Sequence, residues 1–411
     1  MFKSPPFVSI VIPTRNRWEL AATCLQSAVA QTNHDYEIIL SDNSTDLDHS
    51  ERLGELVQQV AKYCDAEVRY LQPPEPLNMA DNWEYATRHA TGRYVAVLTD
   101  RHVIRPSSVA VWKRIVEETN PDLLIWNVRS GYSSVSGFER TSPFDGQVTQ
   151  QTPLHVLDRF LQFSGWKAES MFFNELPRSL NCLHRRKLAD KIRDRHKTLY
   201  RPLSPDNTSA FLFLAAASDV TYVNLPFYCS WGNQSNGEGS AIHGTAGYVS
   251  TYPGMDQFAG CPTRIDSVFN TIVSDFLETQ RLEPALQQRD YSRPGYYLSL
   301  YREIQIKELR GSPLDTIGMR QEWAAAIADL PQSERDVVES GRLELETRDV
   351  RTRRTRRVLY RTGLLSMLRT GLEHLRWVSG RVRGRPSYAN VLEAVASTDQ
   401  YLYCQTPGAS A

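Results

Sequence analysis

Short apolar runs and amphipathic stretches alternate along the first 130 residues of the 411-residue chain. Phe7 to Ile12 precedes a helical pattern from Arg17 to Gln31, and Tyr36 to Leu40 precedes one from Leu47 to Tyr63. Val68 to Leu71 is followed by Asn78 to Ala90, Tyr94 to Leu98 by Ser107 to Thr119, and Leu123 to Trp126 closes the series. The apolar runs lack strict alternation, as strands covered on both faces do. The repetition predicts an α/β fold with a doubly wound, mostly parallel sheet and right-handed crossovers.

Sheets of this kind bind ligands beyond the carboxyl ends of their strands. Three turns are thereby singled out: Pro13, Thr14, Arg15 and Asn16; Ser41, Asp42 and Asn43; and Thr99, Asp100, Arg101 and His102. Each on its own is also ordinary turn and capping chemistry, which favours Asp, Asn, Ser and Thr. Together they converge on one crevice.

From 130 to about 265 the pattern is irregular and aromatic-rich, with helical stretches at Pro153 to Phe163, Arg185 to His196 and Ser204 to Ala217, and a strand-like run from Val220 to Tyr228. Trp231 to Gly247 is a Gly-rich loop containing Ser235, Asn236, Ser240 and His243, of the length that marks a functional or mobile segment. Beyond 265 the reading is helical, near Ile265 to Glu278, Tyr297 to Glu308 and Thr316 to Ala328.

Charge modifies this picture only near the end of the chain. The totals balance at 47 basic and 47 acidic residues, giving no global pull toward nucleic acid. Residues 351 to 386, however, hold 11 Arg against Glu373 alone. Within them Val358, Leu359, Leu364, Leu365, Leu368, Leu372, Leu375 and Val378 recur at helical steps, the pattern of a basic amphipathic helix. Two readings stand: peripheral contact with an anionic membrane surface, or docking of the apolar stripe on protein. No nucleic-acid-binding module is recognisable. Six scattered cysteines without a C-x-x-C pair, no leader pattern and no long uncharged apolar run point to a cytoplasmic protein.

The opening Val8-Ser9-Ile10-Val11-Ile12-Pro13-Thr14-Arg15-Asn16-Arg17, followed by Ile38-Ile39-Leu40-Ser41-Asp42-Asn43-Ser44-Thr45-Asp46, resembles family 2 glycosyltransferases of the inverting type with the GT-A fold. Asn82-Trp83, Ala90-Thr91-Gly92 and Tyr94, then Ser204-Pro205-Asp206 and Ser235-Asn236-Gly237, extend the resemblance over roughly residues 7 to 245. It implies a nucleotide-sugar-binding half over 1–130, an acceptor-binding and catalytic half over 131–262, and a helical C-terminal extension over 263–411.

Pro13, Thr14 and Arg15 would then shape the nucleotide pocket. Asp42 would hydrogen-bond the base of a nucleoside diphosphate sugar, where its carboxylate can accept from uracil, thymine or guanine; UDP, GDP and dTDP all remain open. Asn78 and Asn82, four apart, would share a helix face turned toward the donor, their other reading being a polar helix surface.

The family's acidic metal motif aligns with Thr99-Asp100-Arg101-His102, where hydroxyl and guanidinium groups replace carboxylates. A guanidinium has no acceptor with which to ligate Mg or Mn. Three readings stand side by side. Arg101 supplies the positive charge and the enzyme is metal-independent; Asp100, His102 and His243 hold a divalent cation; or the site has decayed and the chain is a noncatalytic nucleotide-sugar or glycan-binding protein.

Asp206 falls where the resemblance implies the catalytic base, and equally where an Asp would cap the following helix. The resulting expectation is sugar transfer to a hydroxyl of a glycan or lipid-linked acceptor in surface polysaccharide assembly.

Overall fold

The computed structural model describes residues 4–126, 128–167, 175–232, 242–361 and 386–404. The strands are β1 (Val8–Thr14), β2 (Tyr36–Asp42), β3 (Glu67–Leu71), β4 (Tyr94–Val97), β5 (His102–Ile104), β6 (Leu123–Trp126), β7 (Ser130–Ser133), β8 (Phe138–Thr141), β9 (Val148–Gln151), β10 (Cys182–Arg185), β11 (Val220–Val223) and β12 (Tyr228–Ser230). The helices are α1 (Trp18–Val29), α2 (Leu47–Val60), α3 (Met79–Arg88), α4 (Ser108–Thr119), α5 (Pro153–Leu161), α6 (Arg186–His196) and α7 (Pro205–Ala216). They continue as α8 (Ala246–Val249), α9 (Val268–Leu282), α10 (Arg293–Arg310), α11 (Thr316–Ala328), α12 (Gln332–Arg361) and α13 (Val391–Cys404).

Eight strands form the main sheet in the order β3-β2-β1-β4-β10-β6-β11-β9, and β5-β12-β7-β8 form a second sheet. The main sheet is mostly parallel and covered by helices, a GT-A-like fold with a helical C-terminal region. Along β1, Ile10 and Ile12 enter one apolar cluster with Leu40, Trp112 and Phe227, while Val11 enters another with Ile39, Ala86 and Val95. Both faces are therefore buried, which explains the unbroken apolar run. Gly92 lets the α3–β4 turn press onto this strand, since a Cβ there would lie 2.6 Å from the Ser9 nitrogen.

Two features depart from the periodicity. The run from Val220 to Tyr228 is not one strand: it divides around Pro226 into β11, in the main sheet, and β12, in the small one. β10 enters the centre of the sheet antiparallel to both β4 and β6. Its four residues are too short to show a period.

In the C-terminal region, α9, α10 and α11 occupy the three predicted helical stretches, and α10 packs against α12. The α12 backbone remains helical through Arg361; the rest of the predicted basic amphipathic helix, 362–385, lies outside the described residues. Among the described residues, no helix is long and apolar enough to cross a membrane.

Candidate functional site

Parallel pairing in register sets Thr14 opposite Asp42, and β4 ends beside the same edge with the Leu98 amide bonded to the Val11 carbonyl at 2.8 Å. Three strand ends thus finish level, and their turns are laced together. Asn16, at φ 53°, accepts from the amides of Thr45 (2.9 Å) and Asp46 (3.2 Å). Asn43 donates its amide to the Thr14 carbonyl (3.0 Å) and exchanges two 2.8 Å side-chain bonds with the Leu77 backbone. Arg15 reaches the same Leu77 carbonyl at 3.1 Å. Pro13 stands at the strand's end, where a ladder tolerates a missing N–H.

Asp42 is buried, and its two oxygens are oriented by the Tyr70 hydroxyl (2.6 Å) and the Ser44 amide (3.0 Å). Burial, then hydrogen bonding to Asp42, raises the Tyr70 phenol, so it stays a donor. The two asparagines do not act as one helix face. Asn78 is the N-cap of α3 and accepts from the Asp81 amide (2.9 Å), whereas Asn82 is buried and accepts from Ser41 (2.9 Å), tying α3 to the end of β2. A cap residue lies outside the helical repeat, so a four-residue spacing does not align it with the next turn.

At the third turn, Asp100 is buried, accepts from Thr14 at 3.0 Å and faces Arg17 at 3.5 Å. Burial raises its carboxyl above the usual range, with Arg17, Thr14 and Arg101 opposing the rise. Thr99 and His102 bond each other at 2.5 Å (Oγ1 to Nδ1). Burial, reinforced by Arg101, pushes the His102 imidazole down to about 4, so it is neutral at physiological pH.

These residues do not fit a divalent cation. The carboxylate is already engaged by Thr14 and Arg17, His102 Nδ1 is taken up by the Thr99 hydroxyl, and the neighbouring guanidinium only donates. His243 is exposed, and the segment around it is tied to the C-terminal region through the Ser312 bond to the Ile242 carbonyl (2.5 Å) and the Thr245 bond to Asp266 (2.8 Å). Among the described residues, no group of three His, Cys, Asp or Glu is gathered to hold a metal ion.

A second polar cluster, the second wall of the candidate site, is built around α7. Pro205 occupies the first helical position and Ser204 the N-cap, so Asp206 lies in the first turn rather than at the cap. Asp206 is partly exposed, but its packed surroundings raise its proton affinity, against the opposing charge of Arg178. Arg178 responds reciprocally: burial lowers its pKa and Asp206 works against the loss.

The backbone just before the helix is held from α9. Asp275, 1% exposed, accepts from the amides of Leu203 (2.8 Å) and Ser204 (3.0 Å), while Tyr248 donates to the Leu203 carbonyl. Burial pushes the Asp275 carboxyl up to about 8. Tyr248 bonds Tyr252 at 3.1 Å, and the Tyr252 hydroxyl rests on the Ala80 backbone, which links this wall to α3 and so to the first.

Arg17, Tyr70, Arg178, Tyr248 and Asp275 were not singled out from the sequence. Arg17 follows the first turn directly and was the one within reach of turn-based reasoning. The other four act through partners distant in the chain. Ser235, Asn236 and Gly237 lie outside the described residues.

Residues 9–180 match the sequence profile of Glycosyl transferase family 2. The chain thus carries a family 2 glycosyltransferase domain and is a glycosyltransferase. The matched span covers the three strand-end turns and stops short of Asp206. Among solved structures, S. aureus TarS 1–349 in complex with UDP-GlcNAc is similar at 15% identity and TM-score 0.47, over 82% of this chain and 92% of that one. The same TarS fragment in complex with UDP gives 14% identity and TM-score 0.46, over 82% and 91%. A further S. aureus TarS structure gives 15% and 0.43, over 81% of this chain and 55% of that one. No curated protein sequence matches.

Proposed function

We propose that the chain transfers a sugar, with inversion, from a nucleoside diphosphate donor to a hydroxyl of a glycan or lipid-linked acceptor in surface polysaccharide assembly. The observation carrying this reading is the convergence of the three strand-end turns, joined by the Thr14–Asp100–Arg17 contacts, on the edge where Asp42 presents its oriented carboxylate. Pro13, Thr14, Arg15, Asp42, Asn82, Thr99 and Asp100 form the donor wall in this reading. Asn78 contributes by fixing α3.

Inversion is an in-line displacement. The acceptor oxygen forms its bond to the anomeric carbon as the bond from that carbon to the diphosphate oxygen breaks. Asp206 takes the hydroxyl proton, and the diphosphate leaves with the electron pair. Arg101, beside the Arg17–Asp100 pair, supplies positive charge to the leaving group, since a planar guanidinium binds diphosphate oxygens in pairs. The raised proton affinity of Asp206 favours the base role, because a general base works best when its pKa approaches the operating pH. Cys24, Cys64, Cys182, Cys229 and Cys261 are free thiols, which supports a reducing, cytoplasmic setting.

Asp206→Asn tests the assignment. Turnover is expected to fall by about 10²- to 10⁴-fold with donor diphosphate affinity unchanged, the range of general-base removal. An unaffected rate sinks Asp206 as the base. The replaced metal motif favours the second reading, a noncatalytic binding protein; diphosphate binding without turnover across a panel of UDP-, GDP- and dTDP-sugars would establish it.

A further inference from the structure

The small sheet carries an end of the donor wall on its edge strand. β5 starts at His102, one residue after Arg101, and its hydrogen-bonded neighbour is β12, with Ser230 opposite His102. Trp231, which follows β12, donates its amide to the Arg101 carbonyl at 3.0 Å. A three-residue edge strand with a single ladder is weakly held by its own hydrogen bonds. Its inner face is fixed: Ile104 lies in the core, and the His102 ring sits 5.8 Å from that of Tyr228.

Its outer face is covered from the far end of the chain. Val391 and Val395 of α13, both 2% exposed, pack with Val103 and Cys229, and Leu392, Tyr132 and Trp231 complete the cluster. A polar network lies beside this contact. Arg105, 1% exposed, donates to the Pro226 carbonyl (2.5 Å), to Thr398 and to Glu139, and Thr398 in turn donates to Glu139 at 2.8 Å. Asp399 accepts from both the amide (3.2 Å) and the hydroxyl (2.7 Å) of Ser107. The Tyr388 amide donates to the Gly137 carbonyl, and the Tyr132 hydroxyl donates to that of Tyr388, each at 2.9 Å. The buried Arg105 guanidinium depends on Thr398 for part of its hydrogen bonding, and a buried ion pair tolerates the loss of a partner poorly.

We infer that α13 is a positioning element of the donor site: by clamping β5 and β12 from outside, it sets where Arg101 and Trp231 stand. The inference rests on the reading of Thr99–His102 as part of the donor wall. Thr398 and Asp399 touch no reacting atom in that reading; they act through Arg105 and Ser107. Helix α13 lies more than 200 residues beyond the segment that matches the family, so the device lies outside the matched segment.

The test uses the full chain carrying Thr398→Val together with Asp399→Asn, and separately Val395→Ala, which removes apolar contact and leaves the polar network in place. Displacement of the turn by about 1 Å is enough to cost about 10²-fold in a well-positioned site. The double variant is expected to weaken donor diphosphate binding by about tenfold or more, with the loss appearing in the donor KM. Val395→Ala is expected to act in the same direction and less strongly. A helix that merely stabilises the fold would lower Tm and the active fraction while leaving KM and Kd of the folded molecules unchanged, and that result in both variants overturns the inference. Arg101→Ala distinguishes the two levels: if it leaves diphosphate affinity unchanged, the donor-wall reading itself fails, whatever α13 does.

Discussion

The two walls of the proposed crevice are constructed in opposite ways. The donor wall is made of strand ends that finish level because parallel pairing puts them in register, and its polar groups are bonded from turn to turn across one sheet edge. The second wall depends on pieces far apart in the chain: Asp206 on α7, Arg178 before β10, Asp275 on α9 and Tyr248 on α8. The first arrangement follows from the sheet itself, apart from the third turn, which α13 braces from outside. The second exists only while the C-terminal region is docked against the domain. Substitutions should therefore separate them, with donor binding sensitive to one set of residues and turnover to the other.

The largest effect after Asp206→Asn itself is expected at Asp275. Asp275→Ala releases the amides of Leu203 and Ser204 and lets the start of α7 move, so kcat should fall by about 10²-fold, the cost of a misplaced reacting group. Diphosphate affinity should stay at the wild-type value. Asp275→Asn, which imitates the protonated acid, should be milder, since the carboxyl holds its proton up to about pH 8. Steady-state kinetics paired with calorimetry would check this, and a loss of diphosphate affinity in Asp275→Ala would break the distinction between the walls.

The mirror experiment is Asp42→Ala. Removing a charged hydrogen-bond partner costs about 1.5–3 kcal/mol, so diphosphate binding should weaken by roughly 10- to 100-fold. The value of kcat at saturating donor should change little. Tyr70→Phe refines it: the Asp42 carboxylate loses one orienting hydroxyl, and a neutral hydrogen bond contributes about 0.5–1.5 kcal/mol. A Kd increase of up to about tenfold is expected by titration; an effect larger than that of Asp42→Ala would show that Tyr70 serves the site in another way.

A substitution that leaves both walls untouched isolates the scaffold, with the smallest effect expected on activity. His184 on β10 is wholly buried with neither ring nitrogen hydrogen-bonded among the described residues, and burial, reinforced by Arg193, pushes its imidazole down to about 3. Above the unfolded-state value near 6.5 the ring is neutral in both states and contributes no pH dependence. As the pH falls from about 6.5 toward 3, the unfolded chain takes up a proton that the folded chain refuses, so stability declines by up to about 1.4 kcal/mol per pH unit. His184→Leu should flatten this part of the urea-unfolding profile against pH, and an unchanged slope would remove His184 as its source.

The contrast between the walls also explains what could be read from the sequence. The βα repeat and the three strand-end turns were legible because each is local: an apolar run, a turn, an amphipathic helix. Asp206 was reachable through its Ser-Pro-Asp setting, although not its place in the first turn rather than at the cap. Tyr70 and Asp275 carried no signal, since their roles depend on partners 28 and about 70 residues away. Strand β10 was too short for periodicity to register, and the docking of α13 on β5 joins segments nearly 290 residues apart. Local pattern thus predicts a surface made of strand ends and is silent about one assembled by tertiary contact.

In the proposed reading, the donor wall holds a diphosphate with guanidinium charge in place of the carboxylate-bound metal that the family resemblance implies. Calorimetric titration of UDP, GDP and dTDP into the wild-type protein and into Arg101→Ala, each with Mn²⁺ and again with EDTA, tests it directly. One diphosphate should bind the wild type with the same Kd under both conditions and bind Arg101→Ala at least tenfold more weakly. Binding that appears only with Mn²⁺, or that is indifferent to the loss of Arg101, would contradict it.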